Sequence, residues 1–118
     1  MTNIVQYIVL RGDLRTTLNW PLGAVIAQCC HATAATMSMF ATDADTKTYL
    51  EDMDHMHKVV LEVKNEGALL KLSEKLEEND IEHKLWIEQP ENIPTCIALK
   101  PYKKEVVHQY VKNLHLLR

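Results

Sequence analysis

Two polar side chains at helical spacing, Gln28 and His31, stand in a stretch that contains no charged residue. Between Trp20 and Thr42 the chain has no Lys, Arg, Asp or Glu, and small residues dominate. Residues three positions apart in a helix share a face, so Gln28 and His31 can act together. An imidazole, with an unperturbed pKa of about 6.5, can carry a proton near neutral pH. The alternative is a structural histidine that hydrogen-bonds Gln28 or a neighbouring backbone group.

Four further polar side chains lie where predicted strands begin or end. Arg11 and Asp13 follow the first strand, where they either pair with each other or place a guanidinium near an anionic ligand. Glu88 ends the third strand and Thr95 begins the fourth, on either side of a loop with two prolines. A carboxylate and a hydroxyl that converge on a cleft can orient a water molecule. The alternative role for this second pair is to anchor the loop.

Residue spacing disfavours several other kinds of chemistry. Cys30 and His31 are adjacent, and adjacent helical side chains diverge by about 100°, so they cannot form a nucleophile–base pair. The usual metal-ligand spacing is not found among Cys29, Cys30, His31, His55 and His57. Glycine-rich nucleotide motifs and a Ser-His-Asp signature are absent, and the chain contains three glycines. We therefore expect neither a metal nor a cofactor.

The composition is typical of a globular protein with one domain, residues 1–118. Hydrophobic residues make up 47% of the chain and charged residues 25%, which supports a buried core. The three cysteines are an odd number and suit a reducing cytosol better than a disulfide framework. The first residues lack the basic region of a signal peptide, and polar residues in the uncharged stretch argue against a membrane span. We expect a cytoplasmic protein with no membrane segment.

Charge is unevenly distributed along the chain. The net charge is -3, yet after Thr95 five basic residues stand against one acidic residue, so the preceding part carries -7. A basic end on an acidic protein can bind an anionic partner, and a solvated final helix is the alternative. The basic residues are Lys100, Lys103, Lys104, Lys112 and Arg118.

The hydrophobic pattern predicts alternating strands and helices. Strands are predicted over 5–11, 57–63, 82–88 and 95–99. Helices are predicted over 21–40, 44–53, 66–78 and 103–115, with Asn65 capping the third. This order predicts an α/β fold with three α/β/α layers, a mixed four-stranded sheet, helices on both faces and an antiparallel final strand pair. Ligands in such sheets bind beyond the carboxyl ends of parallel strands, here residues 11–21 and the turn at Gly23.

Three segments resemble a known family, the type 2 peptidyl-tRNA hydrolases of archaea and eukaryotes. Residues 6–14 (QYIVLRGDL) and 23–32 (GAVIAQCCHA) resemble the family pattern R-x-D-L followed by G-K-x-A-A-Q-x-x-H-A. Residues 95–101 (TCIALKP) are similar to its T-x-x-x-x-G-P strand. The resemblance covers nearly the whole chain. It is closest to the eukaryotic branch called peptidyl-tRNA hydrolase domain-containing protein, through W-P-x-G-A and L-W-x-E-Q-P-E-N.

The resemblance implies hydrolysis of the ester between a peptide and the 3′ ribose of tRNA, with peptidyl-tRNA as the partner. It implies that Glu88 holds the water, that Thr95 and Gln28 are hydrogen-bonding groups, and that His31 supports them. The positions expected to bind substrate are Arg11, Asp13, Gly23, Lys100, Lys103 and Lys104. The resemblance is also compatible with a homodimer.

Three departures from the family pattern point to an alternative. The family's lysine after the glycine is Ala24 here, its D-A-G-x-T loop is replaced by EQPEN over 88–92, and its final G-P becomes Lys100–Pro101. Loss of one preorganised donor typically lowers a rate by about 10²- to 10³-fold. The alternative is a non-catalytic member that binds tRNA or a protein partner. A hydrolase of other esters or amides is a third candidate.

Overall fold

A computed structural model describes residues 3–118 and shows a mixed sheet of six strands together with five α-helices. The strands are β1 (Ile4–Arg11), β2 (Lys58–Val63), β3 (His83–Glu88), β4 (Ile93–Leu99), β5 (Tyr102–Lys103) and β6 (His115–Leu116). The helices are α1 (Asp13–Thr16), α2 (Leu22–Met39), α3 (Ala44–Glu51), α4 (Glu66–Glu78) and α5 (Lys104–Val111), and a 3-10 turn covers Met53–His55. The predicted α/β class and mixed sheet are confirmed.

The predicted number of four strands is wrong, because β5 and β6 add two short ones. β5 pairs with the beginning of β1, and β6 pairs with β2 through Leu61 and Leu116. The final helix was predicted to reach His115 but ends at Val111, where a turn closes with a hydrogen bond from Leu114 N to Val111 O. Two-residue strands have no periodicity to detect, and β6 forms because the edge of β2 offers free backbone groups.

Strand β1 lies near the centre of the sheet and is buried along its whole length. It runs parallel to β2, from Gln6 beside Lys58 to Arg11 beside Val63, and antiparallel to β4. The order is β3-β4-β1-β2-β6, so β3 forms one edge. The antiparallel pairing of β3 and β4, predicted from their short connection, is confirmed.

Alternate residues of β1 enter two hydrophobic clusters. Val5, Tyr7 and Val9 pack with apolar residues of α4 and α5, while Ile8 and Leu10 pack with residues of α2. Successive side chains of a strand point to opposite faces of the sheet, which separates the two sets. The apolar face predicted for α4 therefore packs against β1 in the first of these clusters. Asn65 caps this helix, as predicted, by accepting a hydrogen bond from Ala68 N at 3.0 Å.

The small residues of α2 allow this helix to approach the sheet closely. Ala32 is fully buried against it, and Thr36 Oγ1 lies 3.2 Å from the carbonyl oxygen of Ala98 in β4. A hydroxyl buried in this way needs an acceptor, and Thr36 also donates to Ala32 O at 2.7 Å. This close contact places the middle of α2 over β3 and β4, where the candidate site lies.

Across residues 3–118 no single helix is both long and apolar enough to cross a membrane. α2 and α3 meet the length and composition criteria only when taken together, and they are bent by 117° relative to each other.

Candidate active site

A hydrogen-bonded chain, buried at Thr95 and Gln28 and partly exposed at Glu88, joins α2 to the beginning of β4 and the end of β3. Thr95 Oγ1 donates to Gln28 Oε1 at 2.9 Å, and Gln28 Nε2 donates to Glu88 Oε2 at 3.2 Å. Thr95 is fully buried and Gln28 is 1% exposed, so the amide is held in one orientation. Gln28 Nε2 also donates to Ala24 O at 3.1 Å. Three residues predicted to share a site are therefore brought together.

A bulge in β4 directs Thr95 toward α2. Trp86 of β3 lies opposite Cys96, whereas the next residue, Ile87, lies opposite Pro94, so Thr95 has no partner in the ladder. An extra residue of this kind bends its strand and re-aims a side chain. Thr95 and Cys96 consequently both face α2, although neighbouring strand residues normally face opposite ways.

His31 and Trp86 form a stacked aromatic pair beside Glu88. Their ring centroids are 4.8 Å apart and the planes differ by 15°. Trp86 Nε1 donates to Glu88 Oε1 at 3.0 Å. His31 is exposed and Trp86 partly exposed, so the stack lies at the protein surface. Trp86 was not among the site residues predicted from the sequence. Its signal is the spacing of two from Glu88, which puts both side chains on one side of a strand.

The surroundings of Glu88 favour its ionised form. Donation from Trp86 Nε1, then from Gln28 Nε2, and the nearby His31 hold the pKa of this carboxyl below its usual value, against a smaller opposing effect of desolvation. A carboxylate offers about four lone-pair positions, of which side-chain donors occupy two here. Glu88 therefore has acceptor capacity left for a water molecule or a hydroxyl.

Arg11 is almost wholly engaged within the protein. Its Nε and Nη2 atoms donate to the two carboxylate oxygens of Asp13 at 3.0 and 2.9 Å, and Nη1 donates to Pro94 O at 3.1 Å. Glu66 lies 3.5 Å from the same Nη1, and Arg11 is 6% exposed. Of the two alternatives for Arg11 and Asp13, the structure shows mutual pairing. The pair holds the segment that leads into Thr95.

The predicted basic substrate contacts lie at the opposite end of the sheet from Glu88. β4 runs from Ile93, beside Glu88, to Leu99, a length of about 20 Å. Lys100 follows this far end and is buried, with Nζ 2.9 Å from Pro101 O and 3.0 Å from Asp43 Oδ2. The other two predicted basic contacts, Lys103 and Lys104, are exposed beside the beginning of β1.

Two more positions of interest lie in the first turn of α2: Gly23, the remaining predicted substrate position, and Ala24, which stands where the family pattern has lysine. Gly23 is exposed, and a Cβ atom there would meet nothing within 4 Å, so the packing within this chain does not require a glycine. Ala24 offers only a methyl group and a carbonyl that already accepts from Gln28. Within residues 3–118 no group of three or more His, Cys, Asp or Glu side chains is placed to hold a metal ion.

Comparison with known proteins identifies the family. The family model "Peptidyl-tRNA hydrolase PTH2" matches residues 4–117. The chain belongs to the PTH2 family. Relatives from Mus musculus and Homo sapiens, both named "Putative peptidyl-tRNA hydrolase PTRHD1", are each 48% identical over 116 residues, covering 98% of this chain and 83% of theirs. The family predicted from the sequence motifs is thereby confirmed.

A solved structure of a protein of unknown function from Agrobacterium tumefaciens resembles this PTH2 member in fold. The two chains align over 98% of each with a TM-score of 0.55 and 17% sequence identity. At that identity the likeness concerns the fold alone. The site described above consequently rests on the contacts of this chain.

Proposed function

We propose that this PTH2 member hydrolyses the ester bond between a peptide and the 3′ ribose of tRNA at the surface formed by Glu88, His31 and Trp86. The observation that carries the proposal is the Glu88 carboxylate. Donors from Trp86 and Gln28 hold one oxygen each, beside an exposed aromatic surface. Such an arrangement can hold a nucleophilic water next to an RNA end.

Glu88 orients the attacking water in this proposal. Because its pKa is lowered, Glu88 is a weak base, and its main contribution is to fix the water and stabilise positive charge that develops on it. Gln28 and Thr95 position Glu88, since the oxygen and the nitrogen of the Gln28 side-chain amide both already have partners. His31 is an exposed side chain on this surface, and its ring N–H can donate to the developing oxyanion.

The stacked pair supplies a surface for the terminal nucleotide. Unpaired RNA bases are commonly bound by stacking on aromatic side chains, which contributes about 1–3 kcal/mol per base. His31 is exposed and its ring lies nearly parallel to that of Trp86, whose indole nitrogen donates to Glu88, so a base that stacks on this pair would bring its ribose near Glu88. We assign Lys103 and Lys104 to phosphates remote from the ester, because they lie at the other end of the sheet.

Release of free tRNA from a peptidyl-tRNA by the purified protein tests the assignment. Glu88→Gln removes the charge at nearly constant size and should lower the single-turnover rate by about 100-fold or more. Glu91→Gln is the matched control, because Glu91 is exposed in the same loop. Gln28→Ala should also slow the reaction. Turnover no faster than buffer, or equal rates for the Glu88→Gln and Glu91→Gln proteins, would refute catalysis at this site.

Ala24 favours a second candidate, a family member that binds tRNA without cleaving it. The structure places no side-chain donor at this position, where the family pattern has lysine. Binding without turnover, weakening steeply with salt, would support this candidate. Salt-insensitive association would instead indicate a protein partner.

Assembly is a separate prediction. The resemblance is compatible with a homodimer, and light scattering across a range of protein concentrations tests for one. The organisation of residues 1–118 as one domain and the cytoplasmic location likewise stay predictions.

A further inference from the structure

One side of the sheet is incompletely covered above β2. On this side α2 packs mainly on β4, β3 and β1, to which its small residues bring it close. Val60 of β2 packs against the cluster that contains Ile8 and Leu10 of β1, so it points to the same side, yet it is only partly buried. The single long helix on this side therefore leaves a gap above β2.

A surface cavity of about 320 Å³ occupies this gap. One wall is α2, through Val25, Ile26 and Cys29, and the other is the chain after β6, through Leu117. Leu117 N donates to Val60 O at 3.0 Å, which fixes this second wall to β2. Apolar walls offer water few hydrogen bonds and favour an apolar chain in its place.

Two guanidinium groups line the same cavity. Arg15 belongs to α1, and Arg118 directly follows the apolar wall at Leu117. Both arginines are exposed, and in the part of the chain that the structure describes neither forms a salt bridge. Both also line an adjoining cavity of about 300 Å³ that contains Glu62, so they lie where an apolar space meets a polar one. Two guanidinium groups without a carboxylate partner favour an anionic group on a ligand.

The size of the cavity indicates a small ligand. Small-molecule sites have volumes of about 300–1,000 Å³, whereas each side of a stable protein interface buries about 800 Å². The lining apolar side chains that are more than half exposed are Leu22 and Ile26, at 54% and 53%. Two half-exposed side chains supply far less area than a protein interface needs.

We propose that this cavity binds a single-chain anionic amphiphile of the fatty-acid class. The apolar chain lies above Val60, between α2 and Leu117, and the carboxylate lies between Arg15 and Arg118. The candidate active site is on the other side of α2, where His31 stacks on a residue of β3. Binding in the cavity therefore does not depend on the proposed hydrolysis.

Methyl NMR titration with octanoate, kept below its micelle concentration, tests the proposal. The methyl signals of Val60 and Leu117 should shift and saturate, while those of Leu69, in the cluster on the opposite side of the sheet, should stay in place. Octanol has a chain of the same length without the charge and should bind at least about tenfold more weakly, because it loses charge-assisted hydrogen bonds. Shifts that do not saturate, or equal affinities for octanoate and octanol, would overturn the proposal.

Neutral substitutions at the two arginines test the position of the headgroup. Arg15→Gln/Arg118→Gln should weaken octanoate binding at least about tenfold and leave octanol binding unchanged. Lys71→Gln/Lys75→Gln is the matched control, since it removes the same charge from exposed positions of α4, on the opposite side of the sheet. The control protein should bind octanoate like the native protein.

A negative charge at the apolar rim is an independent test. Ile26→Glu should weaken octanoate binding by repulsion, whereas Met39→Glu, at a similarly exposed position at the end of the same helix, should leave it unchanged. Circular dichroism checks that each variant is folded. Native affinity in Arg15→Gln/Arg118→Gln or in Ile26→Glu would overturn the proposal. Failure to bind octanoate, combined with binding to phosphatidylglycerol vesicles or dimerisation through these arginines, would instead assign the surface to a membrane or to a second copy.

Discussion

Replacing Thr95 by Val should expose how strongly the site depends on the contact between Thr95 and Gln28. Valine keeps the shape of threonine but removes the hydroxyl that donates to Gln28 Oε1 at 2.9 Å. Both residues are at least 99% buried, so water cannot replace the lost donor. A buried acceptor left without a partner costs about 1–3 kcal/mol. In a chain of this size, a loss of stability of that magnitude lowers the melting temperature by roughly 5–10 °C.

A double-mutant cycle separates the hydrogen bond from other effects of the substitution. Gln28→Met removes the acceptor at similar size, and in that background Thr95→Val should cost little, because no buried acceptor is left unpaired. Urea denaturation of the four proteins should give a coupling energy of about 1–2 kcal/mol. The reasoning is refuted if the coupling energy is below about 0.5 kcal/mol, the usual value for independent sites.

Three further outcomes follow from the contacts described. Trp86→Phe keeps a ring but removes the donor to Glu88, so the pKa of the Glu88 carboxyl should rise in an NMR titration. Because the native pKa is lowered, the stability that Glu88 contributes is present at neutral pH and is lost on acidification through that pKa. The free energy of unfolding of the variant should therefore depend less on pH in this range. Arg11→Met should lower the free energy of unfolding by about 2 kcal/mol in urea, since it leaves a carboxylate without its bidentate partner. If tRNA is bound at the basic end, Lys103→Ala and Lys104→Ala should each reduce the slope of log affinity against log salt by about 1, and unchanged slopes would exclude that contact.

Local patterns were sufficient to predict the main elements of the fold. Strand β1 is a run of β-branched and apolar residues, and the leucine spacing of α4 with Asn65 before it predicts both the helix and its cap. These features depend on periodicity and capping chemistry, which neighbouring residues determine. The short strands β5 and β6 escaped detection because they form on backbone groups that other strands leave free.

The candidate site likewise has features that the sequence predicts and features that only the tertiary structure decides. The amino-acid sequence by itself determined that Gln28 and His31 share a helix face, that Glu88 and Thr95 flank a proline loop, and which family the motifs resemble. Tertiary structure alone decided that Thr95 donates to Gln28, because a bulge one residue long re-aims it. It also decided that Trp86 holds Glu88 while Lys100 is buried at the far end of the sheet. Strand register and helix–sheet packing join residues distant in sequence, and no local pattern specifies a one-residue shift between strands.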